Sequence, residues 1–214
     1  MRRILLAKAR VGLLTGGGHV QPDWRDRVRT DEAQALARRI AEQGPVLVRD
    51  DDGALAALAA APQDALLVTL VDKEEGQGAA FVETMGCGDA VRLSPKSTSQ
   101  QVQDVVAKVG AAEHVVVALY VKVRAYSGGV AIPPKLQPVL DALAAQQKVT
   151  VVSFGNPYLV QGLPHADAYV AAFCRTETVQ RAVADKLRGR ATFTGRLPVG
   201  IPGIAPAGSS AARR

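Results

Sequence analysis

Short apolar runs alternate with helical patterns along most of the chain. Six runs are rich in valine and leucine and end at turn residues, which is typical of strands. They span residues 46–49, 65–71, 89–93, 114–121, 149–154 and 167–173. Because most of these runs are continuously apolar, we expect helices to cover both faces of the strands.

Amphipathic helical patterns lie between these runs. Apolar residues recur at i, i+3, i+4 and i+7, which places them on one face of a helix. Three such stripes are Val102, Val105, Val106 and Val109; Leu136, Val139, Leu140 and Leu143; and Val179, Ala182, Val183 and Leu187. Strands joined by helices run parallel through right-handed crossovers. The sequence therefore predicts an α/β fold, a flavodoxin-like three-layer αβα sandwich with about six mostly parallel strands.

The two ends of the chain depart from this pattern. Residues 1–14 predict an amphipathic helix, and glycine, proline and alternating charges mark a linker up to residue 29. We expect an N-terminal helix and linker over 1–29, the sandwich domain over 30–203, and a flexible tail over 204–214. Lys8 and Arg10 interrupt the first apolar run, and no window approaches the roughly 20 apolar residues of a membrane span. A cytoplasmic location without membrane contact is the default expectation.

Charge and composition exclude several classes of function. The formal net charge is +6, but four positive charges come from the arginines at the two ends, Arg2, Arg3, Arg213 and Arg214. Only 4% of residues are aromatic, so the basic stripe and stacking rings of a nucleic-acid groove are not expected. Two isolated cysteines and three scattered histidines predict neither a metal site nor a disulfide framework, and no cofactor is indicated.

Candidate ligand-facing residues follow the predicted strands, because ligands of open α/β sheets bind beyond the carboxyl ends of the strands. The loops to consider are 72–78, 122–133 and 155–164. Lys122 and Arg124 share one side if the strand continues, where they either hold an anion or hydroxyls or extend into water. In "SFGNPY", Asn156 and Pro157 predict an abrupt turn, and Tyr158 offers a ring and a hydroxyl. The candidates are therefore Lys122, Arg124, Asn156 and Tyr158.

No catalytic residue emerges from the remaining polar positions. Asp72, Glu74 and Glu75 offer carboxylates for acid/base work, yet neighbouring side chains point apart, which favours a solvated loop. The stretch "MGCGD" around Cys87 is similar to a nucleophile elbow, but it follows a helical pattern and precedes a strand, which reverses the order that an elbow needs.

Near the end, "TFTGRLPVGIPG" at 192–203 contains no catalytic side chain. Pro198 and Pro202 lack amide donors, which suits an extended arm along the surface or at a sheet edge. Leu197, Val199 and Ile201 alternate towards one side. We expect all three to be buried, so that this arm closes the chain onto the sandwich.

Four stretches together identify a family resemblance: "RILLAKARVGL" near the start, "VVSFGNPYLV", "VQRAVADKLRG" and "GRLPV" at 195–199. In this order and spacing the chain resembles the C-terminal domain of glycoside hydrolase family 3, especially the two-domain β-N-acetylhexosaminidase type. The resemblance implies a partner, an N-terminal (β/α)8 barrel that carries the nucleophilic aspartate and, in hexosaminidases, the acid/base His–Asp pair. In β-glucosidase members the sandwich itself supplies an acid/base glutamate.

That glutamate should fall near residues 121–130, where this chain has Lys122, Arg124 and Tyr126 and no carboxylate. No catalytic residue is therefore carried over. The resemblance implies an accessory domain that packs on the barrel, borders the sugar site of that barrel, and does not hydrolyse glycosides alone. Such a domain would expose apolar surface, which predicts a homo-oligomer when it is isolated. Two alternatives are a free-standing module that binds a small ligand or a partner, and a glycosidase that uses Glu74 or Glu75.

Overall fold

A computed structural model describes residues 1–14, 23–72, 77–121, 132–146 and 148–211. The chain forms two compact units, Met1–Ala37 and Arg38–Arg214. The helices are α1 Arg2–Arg10, α2 Trp24–Arg27, α3 Asp31–Gln43, α4 Ala54–Ala60, α5 Ala79–Met85, α6 Ser99–Ala111, α7 Gln137–Ala144 and α8 Glu177–Leu187, with 3-10 helices at Pro62–Asp64, Pro134–Leu136 and Pro157–Gly162. The strands are β1 Val46–Asp50, β2 Leu66–Val71, β3 Asp89–Leu93, β4 Val115–Tyr120, β5 Val149–Ser153 and β6 Ala168–Ala171.

The strands form one sheet in the order β1-β6-β5-β4-β2-β3. All neighbours pair in parallel except β1, which runs antiparallel to β6 at the edge. Each of the six predicted strands is confirmed, with bounds that differ by no more than two residues. The mostly parallel α/β sheet predicted from the sequence is therefore correct.

Helices cover both faces of this sheet. On one face, α6 and α7 pack on the strands through the apolar stripes predicted from the sequence. The buried members of these stripes are Val102, Val105, Val109, Leu136, Val139 and Leu143, of which Leu136 directly precedes α7. On the other face, α4, α5 and α8 contribute Leu58, Phe81, Met85, Val179, Val183 and Leu187. Every residue of β2, β4 and β5 is buried. The three-layer αβα arrangement explains why these strands are apolar on both faces.

The N-terminal unit contrasts with the sheet unit, because neither α1 nor α2 has a buried residue. Its exposed large apolar side chains are Met1, Ile4, Leu5, Leu6, Val11, Leu13, Leu14, Trp24, Val28 and Leu36. Among the described residues, no helix combines the length and apolar character that crossing a membrane requires.

The C-terminal arm, residues 195–211, lies along the sheet unit. Within the arm, the Leu197 amide donates a hydrogen bond to the Ser209 carbonyl, with an N···O distance of 2.9 Å. The Ala211 amide donates to the carbonyl of Leu47 in β1 at 2.8 Å. Leu197 and Ile201 are buried as predicted, but the prediction for Val199 is wrong, since that side chain is 40% exposed. The chain bends at residues 198 and 199, so the alternation of an extended strand is lost there. Flexibility over 204–214 stays a prediction.

Candidate functional site

The carboxyl edge of the sheet is where β2, β4 and β5 end, at Val71, Tyr120 and Ser153. The loop over 155–164 is described in full, whereas Lys122 and Arg124 lie outside the described residues. Glu74 and Glu75 lie outside them as well. Of the four candidate ligand-facing residues, the structure therefore places Asn156 and Tyr158.

A close backbone approach fixes the turn after β5. A Cβ atom on Gly155 would lie 2.6 Å from the carbonyl oxygen of Val121, so only glycine fits here without displacing the backbone. The Val121 carbonyl belongs to the chain leaving β4. Gly155 therefore brings the ends of two neighbouring strands into contact.

Asn156 acts within this turn. Its Oδ1 accepts a hydrogen bond from the Tyr158 amide at 3.0 Å, which caps the 3-10 helix Pro157–Gly162. The Ser153 hydroxyl donates to the Asn156 carbonyl at 2.7 Å, and the Tyr169 hydroxyl donates to the Pro157 carbonyl at 3.2 Å. Asn156 is 8% exposed, so its side-chain oxygen holds the turn and does not face solvent.

Tyr158 has the opposite environment, with 40% of the residue exposed. The capped turn fixes its backbone, and Gln161 on the same 3-10 helix donates to the Pro202 carbonyl of the C-terminal arm at 3.2 Å. Tyr158 is thus an exposed aromatic residue at the carboxyl edge, on a 3-10 helix that hydrogen bonds hold in place. The sequence offered both residues as ligand-facing candidates, which stays a prediction, and it did not separate a buried Asn156 from an exposed Tyr158.

An aromatic cluster that the sequence did not indicate lies behind this edge. The rings of Tyr120 and Phe154 stack with centroids 4.7 Å apart, and Phe81 meets Phe154 edge-on at 5.1 Å. The Phe81 amide donates to Oε1 of Gln180 at 3.2 Å, which ties α5 to α8. Burial raises the pKa of the Tyr120 hydroxyl, so it stays protonated. These contacts join residues far apart in sequence, and no local pattern signals them.

The other titratable candidates do not form a catalytic group. Burial raises the pKa of the Cys87 thiol to about 11, although the nearby Arg188 opposes this shift, so the thiol is protonated at neutral pH. His114 precedes β4, at the opposite edge of the sheet, where its Nε2 lies 3.2 Å from the Thr150 hydroxyl. Across the part of the chain that is described, no three His, Cys, Asp or Glu side chains converge in a way that could hold a metal ion.

Solved structures with the same fold include three enzymes. The chain is 22% identical to a glycoside hydrolase family 3 β-N-acetylglucosaminidase from Paenibacillus sp. str. FPU-7, with 90% of this chain and 37% of that chain covered and a TM-score of 0.64. The chain is 20% identical to the β-glucoside phosphorylase BglX, with 90% of this chain and 36% of that chain covered and a TM-score of 0.62. It is 17% identical to the β-glucosidase from Listeria innocua, with 91% of this chain and 31% of that chain covered and a TM-score of 0.58.

At these identities the structures show the fold alone, and the chain spans about a third of the length of each of them. No curated protein matches the sequence. The family model described as the glycosyl hydrolase family 3 C-terminal domain matches residues 2–207. Because that match takes in the sheet, its helices and most of the C-terminal arm, this chain belongs to the glycosyl hydrolase family 3 C-terminal domain family.

Proposed function

We propose that this chain is an accessory domain of a glycoside hydrolase, which packs on a catalytic (β/α)8 barrel and borders the sugar site of that barrel. Family membership supports the enzyme class, and the matched structures include a β-N-acetylglucosaminidase and a β-glucosidase. In this proposal the groups that break the glycosidic bond belong to the barrel. The chain by itself then has no hydrolytic activity.

The exposed apolar side chains of the N-terminal unit support the proposal that this domain packs on a barrel. In α1, Ile4, Leu5 and Leu6 are exposed by 58%, 45% and 49%. Soluble monomers seldom present so many large apolar side chains on one short helix, and such surfaces usually bind another protein surface. A barrel that covers them would remove this apolar area from water.

The carboxyl edge of the sheet supports the proposal that this domain borders the sugar site. Tyr158 offers an exposed ring, whose apolar face suits the C–H groups of a sugar and whose hydroxyl suits its polar groups. In this proposal Asn156 orients Tyr158 through the turn, while Lys122 and Arg124 bind sugar hydroxyls or an anionic substituent. In this proposal Lys122, Arg124 and Tyr158 border the ligand, Asn156 acts through Tyr158, and none of the four takes part in bond cleavage.

Light scattering of the purified chain after size exclusion tests the packing surface. We expect self-association that increases with concentration, and a shift to monomer in the triple variant Ile4→Ser, Leu5→Ser, Leu6→Ser. The matched control, Arg3→Ser with Lys8→Ser on the same helix, should still associate. A wild-type chain that stays monomeric at all concentrations would contradict the packing role.

The exposed Tyr158 also favours a second candidate function, a free-standing module that binds a small ligand at the same edge. Thermal unfolding in the presence of N-acetylglucosamine, peptidoglycan fragments or nucleotides separates the two. A rise in Tm that is lost in Tyr158→Ala would support the free-standing module. No rise with any of these compounds would leave the accessory role.

A further inference from the structure

A groove on the surface of the sheet unit lies between α3 and α8. Its volume is about 400 Å³, which is in the range of small-molecule sites. The second half of α3, one side of α8 and Ala191 line this groove. Its charged lining residues are Arg38, Glu42, Glu177, Arg181, Asp185 and Lys186. Cations and carboxylates from two helices thus line one space.

Residues outside the groove already neutralise two of these charges. Arg181 forms an ion pair with Glu83, with an N···O distance of 3.0 Å, and Asp185 forms one with Arg190 at 3.2 Å. The charges that remain are two cations and two carboxylates, and none of the four forms a direct ion pair with another described residue. These four are Arg38, Lys186, Glu42 and Glu177. The groove is therefore neutral as a whole but has unpaired charges of both signs.

Lys186 is the buried cation of this groove, since the residue is only 6% exposed. Its ammonium group donates to the Thr192 carbonyl and lies 5.4 Å from the centre of the Phe193 ring. Burial lowers the pKa of Lys186, while the charge of Glu42 acts in the opposite direction. A buried ammonium group without a carboxylate in direct contact is costly. An anion bound in the groove would supply the missing contact.

We propose that this groove binds a small zwitterion, a free amino acid or a short peptide, whose carboxylate contacts Lys186 and Arg38 and whose ammonium contacts Glu177. A ligand with charge of one sign would leave the groove charges of that same sign unmatched. Glu177 is the free carboxylate for the ammonium, because Glu42 already compensates part of the Lys186 charge. The groove shares no residue with α1 or with the candidates at the carboxyl edge, so this inference does not depend on the proposed accessory function.

Calorimetric titration of the full chain with L-alanyl-L-alanine tests the site. We expect saturable binding that Arg38→Gln and Glu177→Gln each weaken by about two- to fivefold, as for exposed ion pairs. Lys186→Met should weaken it more, by about tenfold, because its charge is buried. Thermal unfolding verifies that this variant folds, and the two exposed positions decide the test if it does not. The control is Arg39→Gln, an exposed neighbour that does not line the groove and should bind like the wild type.

Two capped dipeptides separate the charges of the ligand. N-acetyl-alanyl-alanine lacks the ammonium group and alanyl-alanine amide lacks the carboxylate, so each should bind at least about twofold more weakly than the dipeptide. If either capped form binds as tightly as the dipeptide, the ligand class is wrong. The proposal is also overturned if the dipeptide shows no saturable binding, or if Arg39→Gln weakens binding as much as Arg38→Gln.

Discussion

In helix α1 the apolar residues Ile4, Leu5 and Leu6 are about half exposed, whereas in strand β2 every residue from Leu66 to Val71 is buried. The two segments have similar apolar character but different surroundings. Strand β2 lies between β3 and β4 and between two layers of helices, so its side chains are covered on both faces. Apolar sequence alone thus does not decide burial. The difference assigns stability to the sheet unit, and it supports the proposal that the N-terminal unit supplies the packing surface.

The largest expected effect separates the two units directly. Leu67→Ala removes a fully buried side chain of β2 and should lower the free energy of unfolding by about 2–5 kcal/mol. Leu6→Ala makes the same chemical change in α1, at a side chain that is half exposed, and should change it by less than about 0.5 kcal/mol. Chemical denaturation measures both. Equal losses in the two variants would break the distinction between the units.

Arg188 tests the long-range contacts of the sheet unit. From the end of α8 its guanidinium donates to the carbonyl of Met85, the last residue of α5. Arg188→Met should cost about 1.5–3 kcal/mol, because a hydrogen bond from a charged group is lost. It should also raise the pKa of Cys87 further, since the charge of Arg188 lowers it.

The matched control for this substitution is Arg190→Met, which removes an exposed ion pair with Asp185 at 3.2 Å. It should cost no more than about 1 kcal/mol. Denaturant unfolding measures the stability of both variants, and the rate of thiol alkylation as a function of pH reports the Cys87 pKa. Similar losses in the two variants would count against a specific role for Arg188 between α5 and α8.

Gly195 tests how closely the C-terminal arm fits the sheet unit. A Cβ atom here would lie 2.5 Å from the Pro45 carbonyl oxygen and 2.9 Å from that of Gln43. Gly195→Ala should therefore destabilise the fold by about 1–3 kcal/mol. Gly110→Ala, in α6 with no atom within 4 Å of the added group, should stabilise it by about 0.5–1 kcal/mol. Thermal unfolding showing the same sign for both would contradict this account of the arm.

The smallest effect concerns pH. Burial and the nearby Lys148 lower the pKa of His114, while Asp167 and Glu113 act in the opposite direction. The unfolded chain, with a histidine pKa of about 6.5, then binds this proton more readily than the folded protein. Neutral His114 therefore contributes to the free energy of unfolding in full above about pH 6.5. This contribution is lost as the pH falls through that value towards the depressed pKa of the folded protein.

His114→Gln should flatten this part of the stability curve, and Leu6→Ala in α1 should leave its shape unchanged. Unfolding midpoints measured between pH 5 and pH 8 report the slope. If the His114→Gln variant keeps the slope of the wild type, a different group is responsible for it.

The sequence predicted the strands well because each buried run carries its own signal of valine and leucine between turn residues. It did not indicate that β1 runs antiparallel to β6, since a four-residue apolar run contains no information on direction. Val199 was mispredicted because the bend at residue 198 interrupts a pattern that assumes extended backbone. At the candidate site, the turn at Asn156 followed from Asn-Pro chemistry. The stack of Tyr120 on Phe154 depends on residues 34 positions apart and left no local pattern.

The most direct test of the accessory role is an activity measurement on the purified, folded chain. The substrate is 4-nitrophenyl N-acetyl-β-glucosaminide, and thermal unfolding of the same sample verifies that the sheet unit is intact. We expect nitrophenol release no faster than in buffer alone. Saturable release that copurifies with the chain and is abolished by Tyr158→Ala would contradict the account, because it would place the chemistry within these 214 residues.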